Sequence, residues 1–219
     1  MCSELVSLYA HHASFVGLYD PQEPSPNDWN RSVAETNLVA DLYFTPVWRW
    51  GSERGYTTST APFTNNHTDP ASVARWWDYM LTRTGPGTLS AVWLDDDQAT
   101  NFWTPEGPIP WMRAFRAMVD ERGHKVSVFS DCVDHGHDDT PQPIDHFVAQ
   151  LRAEAPFVDG FTTFEWFFYF SPFSGAQQKV FYSAYAKYVG EFSGAGATPV
   201  VPRVGGGDVR HELRLECDC

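Results

Sequence analysis

Short apolar runs alternate along this chain with stretches whose apolar residues recur at helical spacing. The run Phe15-Val16-Gly17-Leu18-Tyr19 ends at Asp20 and the proline-rich loop PQEPSPND, which predicts a first strand. A helix is expected to begin near Pro26 to Asp28 and to run through Val33, Leu38 and Val39. The run from Ala40 to Trp48 reads as a second strand, after which Arg49-Trp50-Gly51 opens a polar loop reaching Thr68. Asp69-Pro70 is a helix start, with an N-cap acid and proline at the first helical position. Val73, Trp76, Trp77, Met80 and Leu81 then form one face, and Gly85-Pro86-Gly87 stops the helix.

The alternation continues with a third strand, Leu89 to Leu94, which breaks into Asp95-Asp96-Asp97. A helix from Pro110 to Gly123 follows, with Trp111, Phe115, Met118 and Val119 on one face. A fourth strand spans Lys125 to Ser130 and ends at Asp131. Thr140-Pro141 is expected to cap a further helix, and Phe157 to Phe164 forms a fifth strand running into Glu165-Trp166 and the aromatic loop FFYFSPF. Ser174 opens a last helix through Val180, Tyr182, Tyr185 and Val189. Thr198 to Val204 reads as one more strand, Gly205 to Gly207 as a hinge, and Val209 to Cys217 as an edge strand or a loose tail.

Strand–helix alternation over five units predicts an α/β protein with a mainly parallel sheet. The favoured architecture is a small or degenerate TIM-like (β/α) barrel, organised as a single catalytic domain over 1–204 with 205–219 as tail or edge strand. The alternative is an open parallel sheet with helices on both faces, because 219 residues are few for a barrel that typically takes about 250. The barrel is favoured because acids close strands along the whole chain, whereas an open sheet gathers its site at one switch point.

Composition changes this picture in two ways. Aromatics make up 16% of the chain, many of them in expected loops, which suits a surface that stacks on flat, partly apolar rings such as sugars. A net charge of −13 argues against nucleic acid and against an anionic membrane surface. The cysteines, Cys2, Cys132, Cys217 and Cys219, fit no zinc-ribbon or redox spacing. The N-terminus lacks the basic and long apolar regions of a signal peptide, and no run is long enough to span a membrane. A soluble protein is expected, cytoplasmic or secreted with its leader already removed; its oligomeric state is open.

Candidate chemistry follows from the strand ends. Asp20, Asp95 with Asp96, Asp131 and Glu165 close four of the five strands, while the second runs into Trp48-Arg49-Trp50. Each acid alone is equally a strand terminator or a helix N-cap. Together, on the shared rim of a parallel sheet, they form the carboxylate set that glycoside hydrolysis uses. Glu165, between Phe164 and Trp166, is the candidate general acid, since an apolar wall raises a carboxyl pKa. Asp95 or Asp96 is the expected partner, with Asp131 and Glu106 as alternates. Asp20, Trp48, Arg49, Trp50, Trp103, Trp166 and Tyr169 are the expected substrate-binding residues on a carbohydrate. No cofactor is required by that reading. A competing one takes His135 and His137, a His-x-His pair flanked by acids, as ligands of a divalent metal such as zinc in a metal-dependent hydrolase. A carbohydrate-binding barrel without catalysis is the third possibility.

Four stretches carry a resemblance: FVGLYDPQEPSPNDWNRSV, ADLYFTPVWRWGSERGYTTS, NFWTPEGPIPW and FTTFEWFFYFSP. Over Phe15 to Val189 the chain resembles the uncharacterised glycosyl-hydrolase-like barrel proteins catalogued as a domain of unknown function. The resemblance implies a TIM-like barrel acting on, or binding, a glycan, with Glu106 and Glu165 as the first positions to test.

Overall fold

The computed structural model describes residues 2–29, 32–62, 66–96, 104–133, 135–136 and 140–194. Five parallel strands form one sheet in the order β1-β2-β3-β4-β5: β1 (Gly17–Asp20), β2 (Thr57–Thr60), β3 (Ala91–Asp95), β4 (Ser127–Val133) and β5 (Gly160–Phe164). Among the described residues each strand pairs with its sequence neighbours alone. There is no reversal of strand order, so right-handed crossovers stack the helices on one face of the sheet. The α/β, barrel-like expectation holds. Among the described residues the sheet is an arc of (β/α) units that does not close on itself.

Two long helices cover the middle of the arc. In α5 (Pro70–Thr84), Asp69 accepts the Ser72 amide at 3.0 Å, and Val73, Trp76, Trp77, Met80 and Leu81 are buried, as their spacing predicts. In α6 (Ile109–Arg122), Met112, Phe115, Met118 and Val119 are buried, and Gly123 at φ 68 closes the helix in the left-handed region. These faces meet Val92, Leu94 and Val128 from the strands in one core. Further helices are α1 (Cys2–Tyr9), the single turn α2 (Pro26–Trp29), α7 (Ile144–Glu154) and α8 (Ala176–Gly194). The sequence expectation had α7 starting three residues earlier. Instead Thr140 accepts the Gly136 amide at 2.7 Å and His135 bridges Pro141, which holds the chain extended there.

The expected second strand is a helix. The helix α3 (Val33–Val39), capped by Ser32, continues through a π-helical turn (Ala40–Phe44) into α4 (Thr45–Ser52). Ala40, Phe44 and Trp48 are four residues apart and at most 1% exposed, so the apolar run has the helical period rather than the strand period of two. Pro46 has no N–H for the Leu42 carbonyl, and the helix widens just before it into the π turn, where the Thr45 amide donates to the Ala40 carbonyl. A fork of Arg83 on Asp41, at 2.9 and 2.6 Å, ties this turn to α5.

The true β2 lies inside the expected polar loop. Thr58 and Thr60 point inward, and their hydroxyls donate to the carbonyls of Thr88 at 2.5 Å and Gln22 at 2.9 Å. Burial is tolerated because each hydroxyl has a partner. Gly51 lets α4 approach this strand closely, since a Cβ there would stand 2.6 Å from the Thr58 methyl. The expected last strand at 198–204 and the tail at 205–219 lie outside the described residues.

Candidate functional site

Alternation along each strand divides the site residues between two faces. Register pairs Trp93 with Phe129 and Asp95 with Asp131, so these four share the face away from the helices. Tyr19, two positions from Gly17 on β1 and paired with Ser59, is on the same face. The Trp93 and Phe129 rings stack at 4.3 Å and 22°, with Trp93 half-buried and Phe129 buried beneath it. Asp95 and Asp131 stand side by side just beyond this stack, Asp95 as the last residue of β3 and Asp131 two residues before the end of β4. Neighbouring strands are about 4.8 Å apart, which makes the two side chains neighbours on this face. Active sites of (β/α) barrels lie at this end of the strands.

Tyr19 is held as a neutral phenol. The side chain is 56% exposed, so its desolvation is only partial; that is the first cause, the charges of Asp131, Glu23, Asp20 and Asp95 add to it, and the pKa is raised to about 12. At neutral pH this phenol is a hydrogen-bond and proton donor beside two carboxylates that accept. Tyr19 was not a sequence candidate. Its signal was its place one residue before Asp20, on the opposite side of the strand.

Asp20 itself faces the helices. It is 4% exposed, accepts from the Tyr43 hydroxyl at 3.0 Å and the Gln22 amide at 3.2 Å through Oδ1, and from Trp48 Nε1 at 3.2 Å through Oδ2. It anchors β1 to the π turn and α4 rather than binding substrate. Trp48, 1% exposed and packed on Phe44, is core and offers no ring face to a sugar. Arg49 turns to the other end of the barrel, where Nη2 donates to the Thr84 carbonyl at 3.4 Å. Trp50 carries the Arg54 guanidinium over its ring at 4.5 Å. Trp103 and His137 lie outside the described residues.

Glu106 is exposed in the turn before α6 and acts on His146 of α7, whose pKa burial lowers while the Glu106 charge opposes that shift. Glu165 is half-buried at the end of β5, where its carbonyl accepts the Tyr169 amide at 3.1 Å. The aromatic loop after it is a π-helical turn, Trp166–Phe170. Trp166 stacks on Phe170 at 4.9 Å, meets Tyr182 edge-on at 5.7 Å and is 49% exposed. Tyr169 stacks on His135 at 4.1 Å and 15°, which covers one face of the imidazole.

Asp96 is separated from Asp95 by the thickness of the sheet. It is fully buried on the helix side, where Oδ1 accepts the Val133 amide at 3.2 Å and Oδ2 accepts from Gln150 Nε2. Gln142 Nε2 donates to the Val133 carbonyl at 2.6 Å and to Gln150 Oε1 at 2.9 Å. On the other side of this network Glu154 Oε2 accepts from Ser130 Oγ at 2.6 Å and from Cys132 Sγ at 3.4 Å. Burial pushes the Cys132 thiol well up and lifts Glu154 to about 7. The sequence reading took Asp96 as a catalytic partner; its burial removes it from the open face. It also missed Gln150 and Glu154, which sit at positions three and four residues apart on the stripe of α7 that begins with Phe147, and so were legible as polar residues on a core face.

No family model and no curated protein matches the chain. A solved structure does, that of a protein provisionally assigned as a phosphonomutase from Burkholderia cenocepacia, at 16% identity and a TM-score of 0.44, over 74% of this chain and 65% of that one. The glycoside hydrolase expectation is withdrawn on the site itself: Trp48 is core, Trp50 is covered by Arg54, and Asp20 and Asp96 are buried in hydrogen-bond networks.

Proposed function

We propose that the chain is an enzyme whose acid–base site is the open sheet face bearing Tyr19, Asp95 and Asp131. The observation that carries this is the register of β3 and β4, which aligns Asp95 with Asp131 on the face where Tyr19 feels both charges. The phenol supplies a proton or a strong hydrogen bond to a developing negative charge, and a carboxylate accepts one. The summed field of Asp20, Glu23, Asp95 and Asp131 repels free anions, so the substrate is a neutral or cationic small molecule. An apolar part of that substrate rests on the Trp93–Phe129 stack, and the polar part meets the acids.

The test is a ligand-observed NMR screen of the full chain against small molecules grouped by charge, followed by turnover assays on the binders. Neutral or cationic binders should predominate and should be lost in Asp131→Asn. Tyr19→Phe should keep binding and lower turnover by about 100-fold or more. Binders that are mainly anionic, or binding and turnover unchanged in Asp131→Asn, would refute the reading.

A further inference from the structure

Behind the open face, the helix side of the same strands holds a second ionisable group. Asp96 follows β3, Cys132 is on β4 and Glu154 ends α7; each is 0% exposed. One ligand atom from each lies within 4.8 Å of the other two. Oε2 of Glu154 accepts from Ser130 and Cys132, whereas among the described residues Oε1 is buried with no N–H or hydroxyl donor, and the carboxyl groups of Glu154 and Asp96 are close enough to hydrogen-bond when one of them holds a proton. A buried acceptor left without a donor costs about 1–3 kcal/mol, and a charged one more. Two neighbouring carboxyl groups of this kind are satisfied either by a proton shared between them or by a positive centre that replaces it.

Cys132 decides which one. Its sulfur is 3.4 Å from Glu154 Oε2 and 3.3 Å from Ser130 Oγ. In a tetrahedral zinc site, bond lengths of about 2.0–2.3 Å set neighbouring ligand atoms about 3.3–3.8 Å apart. The sulfur–oxygen spacing is thus already that of a metal's coordination shell, and the 4.8 Å limit of the set needs only a small inward movement. Magnesium and calcium prefer six or more oxygens; a sulfur with two carboxylates in a dry pocket selects a zinc-like ion.

We propose that Asp96, Cys132 and Glu154 bind one divalent transition-metal ion of the zinc type, with Ser130 Oγ beside them as a further oxygen. Binding forms a metal–sulfur bond and metal–oxygen bonds to both carboxylates. The Cys132 proton, and any proton the carboxylates hold, leaves to solvent, so the ion replaces protons and no electron changes hands. The Val133 amide and Gln150 side chain, both on Asp96, orient that ligand. The site is closed to solvent and is therefore structural. It pins the ends of β3 and β4 to α7, directly behind Asp95 and Asp131, and it stands independently of the acid–base reading.

The experiment uses the full chain carrying Cys217→Ser and Cys219→Ser, so that the tail thiols cannot contribute. Elemental analysis should find about one equivalent of zinc, and a chelator should lower the melting temperature, with zinc restoring it. Cobalt(II) added to the stripped protein should give a thiolate-to-metal charge-transfer band that Cys132→Ser abolishes. Glu154→Gln, a near-isosteric change, should weaken cobalt binding at least tenfold while the circular dichroism stays native, which keeps the test decisive if Cys132→Ser does not fold. A stripped protein that gives no thiolate band and no thermal shift with cobalt or zinc overturns the proposal, as does a band that persists in Cys132→Ser.

Discussion

Asp95 and Asp96 are consecutive in the chain and point to opposite faces of the sheet. Asp95 stands beside Asp131 on the open face, while Asp96 is fully buried against Val133 and Gln150 on the helix side. The same substitution at the two positions should therefore give opposite phenotypes. Asp96→Ala should cost about 3 kcal/mol, because it orphans the buried Val133 amide and removes one of the Gln150 hydrogen bonds, and Asp95→Ala should cost clearly less. Urea unfolding of the two variants measures the contrast, and equal losses would contradict the placement.

Tyr19 provides a spectroscopic test of the open face. With its pKa raised to about 12, its tyrosinate absorbance should emerge well above the ordinary tyrosine range near 10 in an ultraviolet pH titration. Tyr43, raised to about 12 by burial and by its bond to Asp20, should rise with it, so Tyr43→Phe is the background of choice. In that background Asp131→Asn should lower the Tyr19 midpoint without returning it to 10, because burial, the larger cause, is untouched. Since the folded phenol holds its proton more tightly than the unfolded one, its contribution to stability is lost as pH rises from about 10 towards 12.

Glu154 gives the pH dependence of the chelator-treated protein. Its folded pKa of about 7 lies above its ordinary value of 4.5, so the native state binds more protons across that window. Stability from this group is complete below about 4.5 and falls as pH climbs through about 7, by at most about 3 kcal/mol. Glu154→Gln should flatten the slope. Denaturant midpoints at pH 5 and pH 8 compare the two proteins, and a wild-type midpoint that rises with pH in this interval would be the wrong sign.

Trp48 and Gly51 test the helical reading of the second apolar run. Trp48→Ala should cost about 3–5 kcal/mol, as for a large buried aromatic, rather than merely weaken ligand binding. Gly51→Ala pushes a methyl against Thr58 and should cost about 1–3 kcal/mol, with Gly51→Ala/Thr58→Ser recovering part of the loss. Thermal melts of the three variants decide between helix packing and an exposed strand end.

The layered α/β fold was legible in the sequence because α5 and α6 bury the residues their spacing marks, with Asp69 and Gly123 at their ends. Two elements defeated it for physical reasons. Ala40 to Trp48 is apolar enough to suit a strand, and only the four-residue spacing of Ala40, Phe44 and Trp48 reveals the helix. Thr57–Thr60 is polar, and its burial depends on carbonyls of Thr88 and Gln22 supplied by distant loops. At the site, the acid-bearing strand ends were found, but the side each residue faces was not. An offset of one position exchanges Tyr19 with Asp20 and Asp95 with Asp96, and that parity is fixed by tertiary packing rather than by residue type.

The neighbour-by-neighbour order of the strands has a consequence for biosynthesis. Among the described residues each strand lies against the one translated just before it. The sheet can therefore assemble in step with the ribosome, unit upon unit, its growing edge bare only until the next unit emerges.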